Sequence, residues 1–99
     1  MERKWNVTHR RYTHNLQTVT VAVMAKKPPV DIRERFGDAV RLRREELHLT
    51  QEDLAETARI HRTYLSDVER GTRNLSLVNI ERLAIALQLK MSELLKRAE

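Results

Sequence analysis

Ninety-nine residues, 40% of them apolar, fit one small domain whose limited core makes oligomerisation a natural supplement. The chain has no cysteine, which excludes a disulfide framework and thiolate chemistry, and its four histidines lack the spacing of a zinc site, so no metal or other cofactor is expected. The formal charge of +5 is unevenly placed: residues 1–29 carry six basic and one acidic side chain, a net +5, whereas residues 30–99 carry thirteen of each, a net of zero. Attraction to phosphate must then come from the N-terminal segment or from local placement of charge.

No apolar run approaches the roughly 20 residues of a membrane span. Thr18 to Ala25 is too short and too rich in threonine for a signal sequence, and a cytoplasmic protein is the simplest reading. No nucleophile, base and orienting group recur at a workable spacing, so no enzyme is expected.

The segment 1–29 reads as a basic extension. Val19, Val21 and Val23 alternate with Thr18, Thr20 and Ala22 in a strand-like period that has no evident partner. For residues 1–23 the three readings are dispensable or disordered chain, a basic arm that tracks DNA, and a strand paired across a dimer. Met24-Ala25-Lys26-Lys27 also has the form of a translation start. Pro28-Pro29 then interrupts any helix and biases Lys27 toward extended structure, setting a boundary between 1–29 and a second unit, 30–99.

Beyond the boundary, Asp31 is a fitting N-cap for a first helix that runs to about Glu46. Ile32, Phe36, Ala39, Val40 and Leu42 supply its apolar spacing, with Leu47 and Leu49 following. Thr50-Gln51-Glu52-Asp53 is a near capping box opening a short second helix that ends near Ala58. Arg59-Ile60-His61 forms the turn, and Arg62 to Arg70 the third helix, closed by Gly71 at a left-handed position. Ser76 caps a fourth helix with the stripe Leu77, Ile80, Leu83, Ala84 and Leu87, and a short fifth helix spans Met91 to Ala98. Five helices with short connections give an all-α domain. In the middle pair, Leu54, Ala55, Ala58, Ile60, Leu65 and Val68 can cover one core, leaving Gln51, Arg62, Thr63, Tyr64 and Ser66 to face a partner.

These residues resemble a known family. Arg41 to Leu95 is similar to the phage-repressor and XRE-type (Cro/C1-type) helix-turn-helix proteins, which implies a lambda-repressor-like five-helix fold. Gln51-Glu52-Asp53-Leu54-Ala55, Arg62 to Gly71 and Arg73-Asn74 look most like restriction-modification controller proteins. The resemblance implies a sequence-specific transcriptional regulator, a homodimer on a two-fold-related operator of double-stranded DNA. It places Gln51 near a phosphate, where a helix N-terminus offers free N–H groups to an anion. The third helix would lie in the major groove, with Arg62 bidentate to a guanine and Thr63 against a thymine methyl. Tyr64 and Ser66 would hold the backbone or a neighbouring base, and Arg73 and Asn74 would make the loop contact.

Arg44 and Glu69 match the family's interior ion pair, a structural role that keeps Glu69 off the DNA. Leu89, Met91, Leu94 and Leu95 suit the two-fold interface used in similar controllers. The chain departs from the family at Arg59, where many members have glycine. The steric penalty of positive φ there points to a different turn geometry. Leu75 stands for a frequent proline and Gln88 for a frequent glycine. An alternative regulator is an antitoxin whose segment 1–29 holds a protein partner. More distant is an interaction module that uses the fold without DNA, for which the neutral charge of residues 30–99 argues.

Overall fold

A computed structural model describes residues 30–99; the boundary at Pro29 and every reading of residues 1–29 lie outside the described residues. Among them are five helices in chain order: α1 (Ile32–Glu46), α2 (Gln51–Ala58), α3 (Arg62–Glu69), α4 (Leu77–Ala86) and α5 (Met91–Arg97).

Side-chain caps set the helix starts. Asp31 accepts a hydrogen bond from the Arg33 amide and is also paired with the Arg33 guanidinium, which together hold its carboxyl at a pKa of about 2. Thr50 and Asp53 form a reciprocal capping box, and the bond from the Thr50 amide lowers the Asp53 pKa. His61 Nδ1 accepts from the Thr63 amide at 3.4 Å, a weak cap, and Ser76 Oγ accepts from the Asn79 amide.

The first four helices end alike. Residues His48, Arg59, Gly71 and Gln88 are left-handed, with φ of 57°, 59°, 78° and 59°. Each donates its amide to a carbonyl three residues back, and the next residue donates five back, as in Ile60 N–H to Ala55 O at 3.0 Å. This is the Schellman motif, and three of the four carry a side chain where glycine is the usual occupant. What replaces the glycine preference is the next residue. Leu49, Ile60 and Leu89 are apolar and partly buried, so burial of each offsets the strain at the residue before it. The turn at Arg59 therefore takes up the left-handed geometry despite its side chain, correcting the expectation of a different turn.

The core gathers Phe36, Ala39 and Val40 of α1, Leu54, Ala55 and Ala58 of α2, Leu65 and Val68 of α3, Leu83 and Ala84 of α4, and Leu94 of α5. Apolar spacing overstated this core at three places: Ile32 and Leu42 are half exposed and Leu77 is 74% exposed. Two glycines bring α3 and its following loop onto α1. A Cβ at Gly37 would stand 2.3 Å from the Val68 carbonyl oxygen, and one at Gly71 would stand 2.7 Å from both Cα and Cγ of Glu34, so neither position has room for a side chain.

Left-handed strain of roughly 1–2 kcal/mol at Arg59 outweighs the extra freedom a glycine gives the unfolded chain. Arg59→Gly is expected to be more stable by about 0.5–1 kcal/mol, raising the thermal midpoint by about 3–6 °C. A midpoint unchanged or lowered in a calorimetric scan would show that the turn bears no strain.

Candidate nucleic-acid interface

Helix α3 is amphipathic: Leu65 and Val68 are fully buried, whereas Arg62 and Thr63 on its first turn are exposed. The surface that α3 shares with the start of α2 and the loop after Gly71 is where the sequence placed most of its candidate residues.

Position is imposed on α3 from beneath. Glu69, whose side chain is 4% exposed, accepts from Arg44 Nε at 2.7 Å and from Arg44 Nη2 at 3.0 Å. Its Oε1 also accepts from Gln51 Nε2 at 3.0 Å, and Arg44 Nη1 donates to the Leu49 carbonyl. One carboxylate thereby joins α1, α2 and α3. Hydrogen bonding to Glu69 is the largest cause raising the Arg44 pKa. Gln51 is consequently not a free side chain. One of its two amide hydrogens is committed to Glu69, which leaves the other and the carbonyl oxygen for a partner.

In the same last turn of α3, two residues before Glu69, Asp67 gathers the loop. Its carboxylate pairs with Arg70 and accepts from Arg73 Nε at 3.2 Å and Nη2 at 3.1 Å. Its carbonyl accepts from the amide and hydroxyl of Thr72, each at 3.1 Å. Arg73 lies over the Tyr64 ring, 5.1 Å from its centroid, and the Tyr64 hydroxyl accepts from Asn79 Nδ2 of α4. Ser66 Oγ accepts from Arg70 Nη1. Tyr64 and Ser66, read from the sequence as free to face a partner, are thus half-buried and engaged within the protein. Arg62 is much freer: Glu52 stands 4.0 Å away and both side chains are largely exposed. Asn74 is exposed beside Arg73.

The expected dimer residues divide. Leu94 is fully buried in the monomer core and has no surface to offer a second copy, because it points between α5 and the rest of the bundle. Leu89 and Met91 are partly buried against the same core, and Leu95 is 38% exposed. Exposed apolar side chains that the sequence did not single out are Val78 and Ile85 of α4, seven residues apart and hence on one helix face, 55% and 69% exposed. Sequence reasoning also missed Asp67, whose signal was an acidic residue three positions before Arg70. Arg43 donates to the Leu87 carbonyl and pairs with Glu46.

Among the described residues no group of three or more His, Asp or Glu side chains could hold a metal ion, and no helix is long and apolar enough to cross a membrane.

Removing Glu69 leaves a sheltered guanidinium and an amide without their acceptor. Glu69→Ala is expected to cost about 3 kcal/mol in denaturant unfolding. A loss near zero would mean that the pair does not position α3.

Comparison with known proteins agrees with the five-helix fold. The family model described as Helix-turn-helix matches residues 40–94. The control protein C.BamHI of Bacillus amyloliquefaciens is 48% identical over 66 residues, which is 66% of this chain and 82% of that protein. The crystal structure of the restriction-modification controller protein C.AhdI from Aeromonas hydrophila superposes with a TM-score of 0.61 at 45% identity, covering 63% of this chain and 94% of that one. The controller protein C.Esp1396I, solved as a tetramer in complex with its natural 35 base-pair operator, gives a TM-score of 0.61 at 28% identity over 71% of this chain and 97% of that one. With residues 40–94 inside the family model, more than half of its length, this chain belongs to the XRE-type helix-turn-helix family of DNA-binding transcriptional regulators.

Proposed function

We propose that the protein is a restriction-modification controller that acts as a homodimer on a two-fold-related operator, with α3 in the major groove. The observation that carries this reading is the first turn of α3. Arg62 and Thr63 project from a helix whose other face is locked by Glu69 and Gly37, so an exposed guanidinium stands on a firmly held support. The solved assembly of C.Esp1396I on its operator supports the same class of partner. Arg62 reads guanine O6 and N7, and Thr63 meets a thymine methyl. Gln51, at the N-terminus of α2, offers its remaining amide hydrogen to a phosphate. Arg73 and Asn74 touch backbone and groove, and Tyr64 and Ser66 act chiefly by holding Arg73 and Arg70. No catalytic step is assigned, and the proposed work on DNA fits a cytoplasmic protein.

Dimerisation uses the exposed apolar side chains of α4 and α5. Val78, Ile85 and Leu95 offer surface that a monomer leaves in water, and Leu89 and Met91 support them from the core side. The antitoxin reading needs a protein partner on residues 1–29, for which no observation on residues 30–99 speaks.

Arg62→Ala is expected to weaken binding to the preferred duplex by about 1–3 kcal/mol with an unchanged unfolding midpoint, read by titration of labelled DNA. Equal affinity of variant and wild type would remove Arg62 from the reading surface. Ile85→Glu, at a position already exposed, should shift sedimentation toward monomer without loss of helicity, and an unshifted dimer would place the interface elsewhere.

A further inference from the structure

The reading surface carries more arginine than free positive charge. Arg70 and Arg73 both bond to the carboxylate of Asp67, a side chain only 18% exposed, while their own side chains are 62% and 48% exposed. Arg62, the residue expected to read a base, has its nearest carboxylate at 4.0 Å. The two arginines beside the groove-facing helix are therefore partly neutralised and fixed in place, and the one on its first turn is not.

We propose that Asp67 is a specificity-determining positioning residue: it holds Arg70 and Arg73 so that they contribute little to DNA of any sequence and fully only where the helix is seated. This rests on the DNA-reading function proposed above. Two physical consequences of the geometry support it. First, indiscriminate binding comes from cations that meet phosphate wherever the backbone passes, and a carboxylate bonded to two of them must be outcompeted before either does so. Residues 30–99 already have no net charge, so restraining two arginines removes a large share of the local attraction. Second, Arg73 is fixed on three sides, by Asp67 through Nε and Nη2, by the Tyr64 ring beneath it, and by a loop anchored through Thr72 to the Asp67 carbonyl. Tyr64 is itself held by Asn79 of α4. Much of the ordering cost of placing this side chain is met in the free protein, and that benefit is realised only on DNA whose backbone runs where Arg73 already points.

Loss of the carboxylate should then move two affinities in opposite directions. The test compares Asp67→Asn with wild type on two duplexes, one enriched by wild type from a random pool and one of random sequence, across a salt series. Asp67→Asn is expected to bind random duplex severalfold more tightly, with a salt slope steeper by about 0.9 for each arginine released to phosphate, and to bind the enriched duplex more weakly, so that the ratio falls about tenfold. An unchanged ratio, or an equal loss on both duplexes as a merely destabilised fold would give, overturns the proposal. Should Asp67→Asn fail to fold, Asp67→Glu decides: it keeps the charge but moves the carboxylate by one methylene. The salt slope on random duplex should hold while the enriched duplex is bound less tightly, and no loss there, or the same loss on both, overturns the proposal. If folded wild type enriches no duplex at all, the DNA-reading function fails and this inference with it; enrichment by wild type with an unchanged variant ratio removes this inference alone.

Discussion

The carboxylate of Glu69 is the interaction on which the rest of the arrangement depends. It is buried at the end of α3, accepts two bonds from Arg44 of α1 and one from Gln51 of α2, and so ties three helices at a single point. Apolar packing of Leu54, Leu65 and Val68 supplies attraction but not register, since such contacts tolerate sliding. A bidentate ion pair with a fixed third donor does not tolerate it, and a helix displaced by one residue would leave a buried charge without partners. Gly37 adds a steric stop, since α1 and α3 meet through backbone there. Together they make α3 a rigid platform whose outer face is available to read a groove.

Placement of charge on that platform matters more than its quantity. The described domain has no net charge, and its arginines are largely engaged: Arg44 with Glu69, Arg43 and Arg97 with Glu46, Arg70 and Arg73 with Asp67. A highly cationic surface would hold any duplex and would search for its site against that background. A domain whose arginines are mostly paired relies on geometric fit, which suits a regulator that must act at few sites.

Helix starts were legible in the sequence because their chemistry is local: Asp31, the Thr50 and Asp53 pair, and Ser76 each cap the helix that follows. Helix ends were less so. Glycine marks only the end of α3, and at His48, Arg59 and Gln88 the signal was the apolar residue one position later, whose value depends on a core the sequence does not display. The same dependence explains Leu94 and Leu95, adjacent and chemically identical, one fully buried and the other exposed according to which side of α5 meets the bundle. Periodicity also assigned Ile32, Leu42 and Leu77 to an interior they do not reach, because spacing gives a face and not its depth. The exposed face of α3 was legible through the two-helix pattern, but the bonds from Gln51 to Glu69, from Asn79 to Tyr64 and from Asp67 to two arginines join residues whose meeting is a product of the fold.

The central claim is that two copies of a rigid α3 read two related half-sites. Selection of bound DNA from a random duplex pool by the folded protein at physiological salt tests it most directly. The account predicts enrichment of an inverted repeat whose half-sites lie about one helical turn, roughly 34 Å, apart or a multiple of it. Failure to enrich any duplex, or enrichment of a single site without two-fold symmetry, would contradict it.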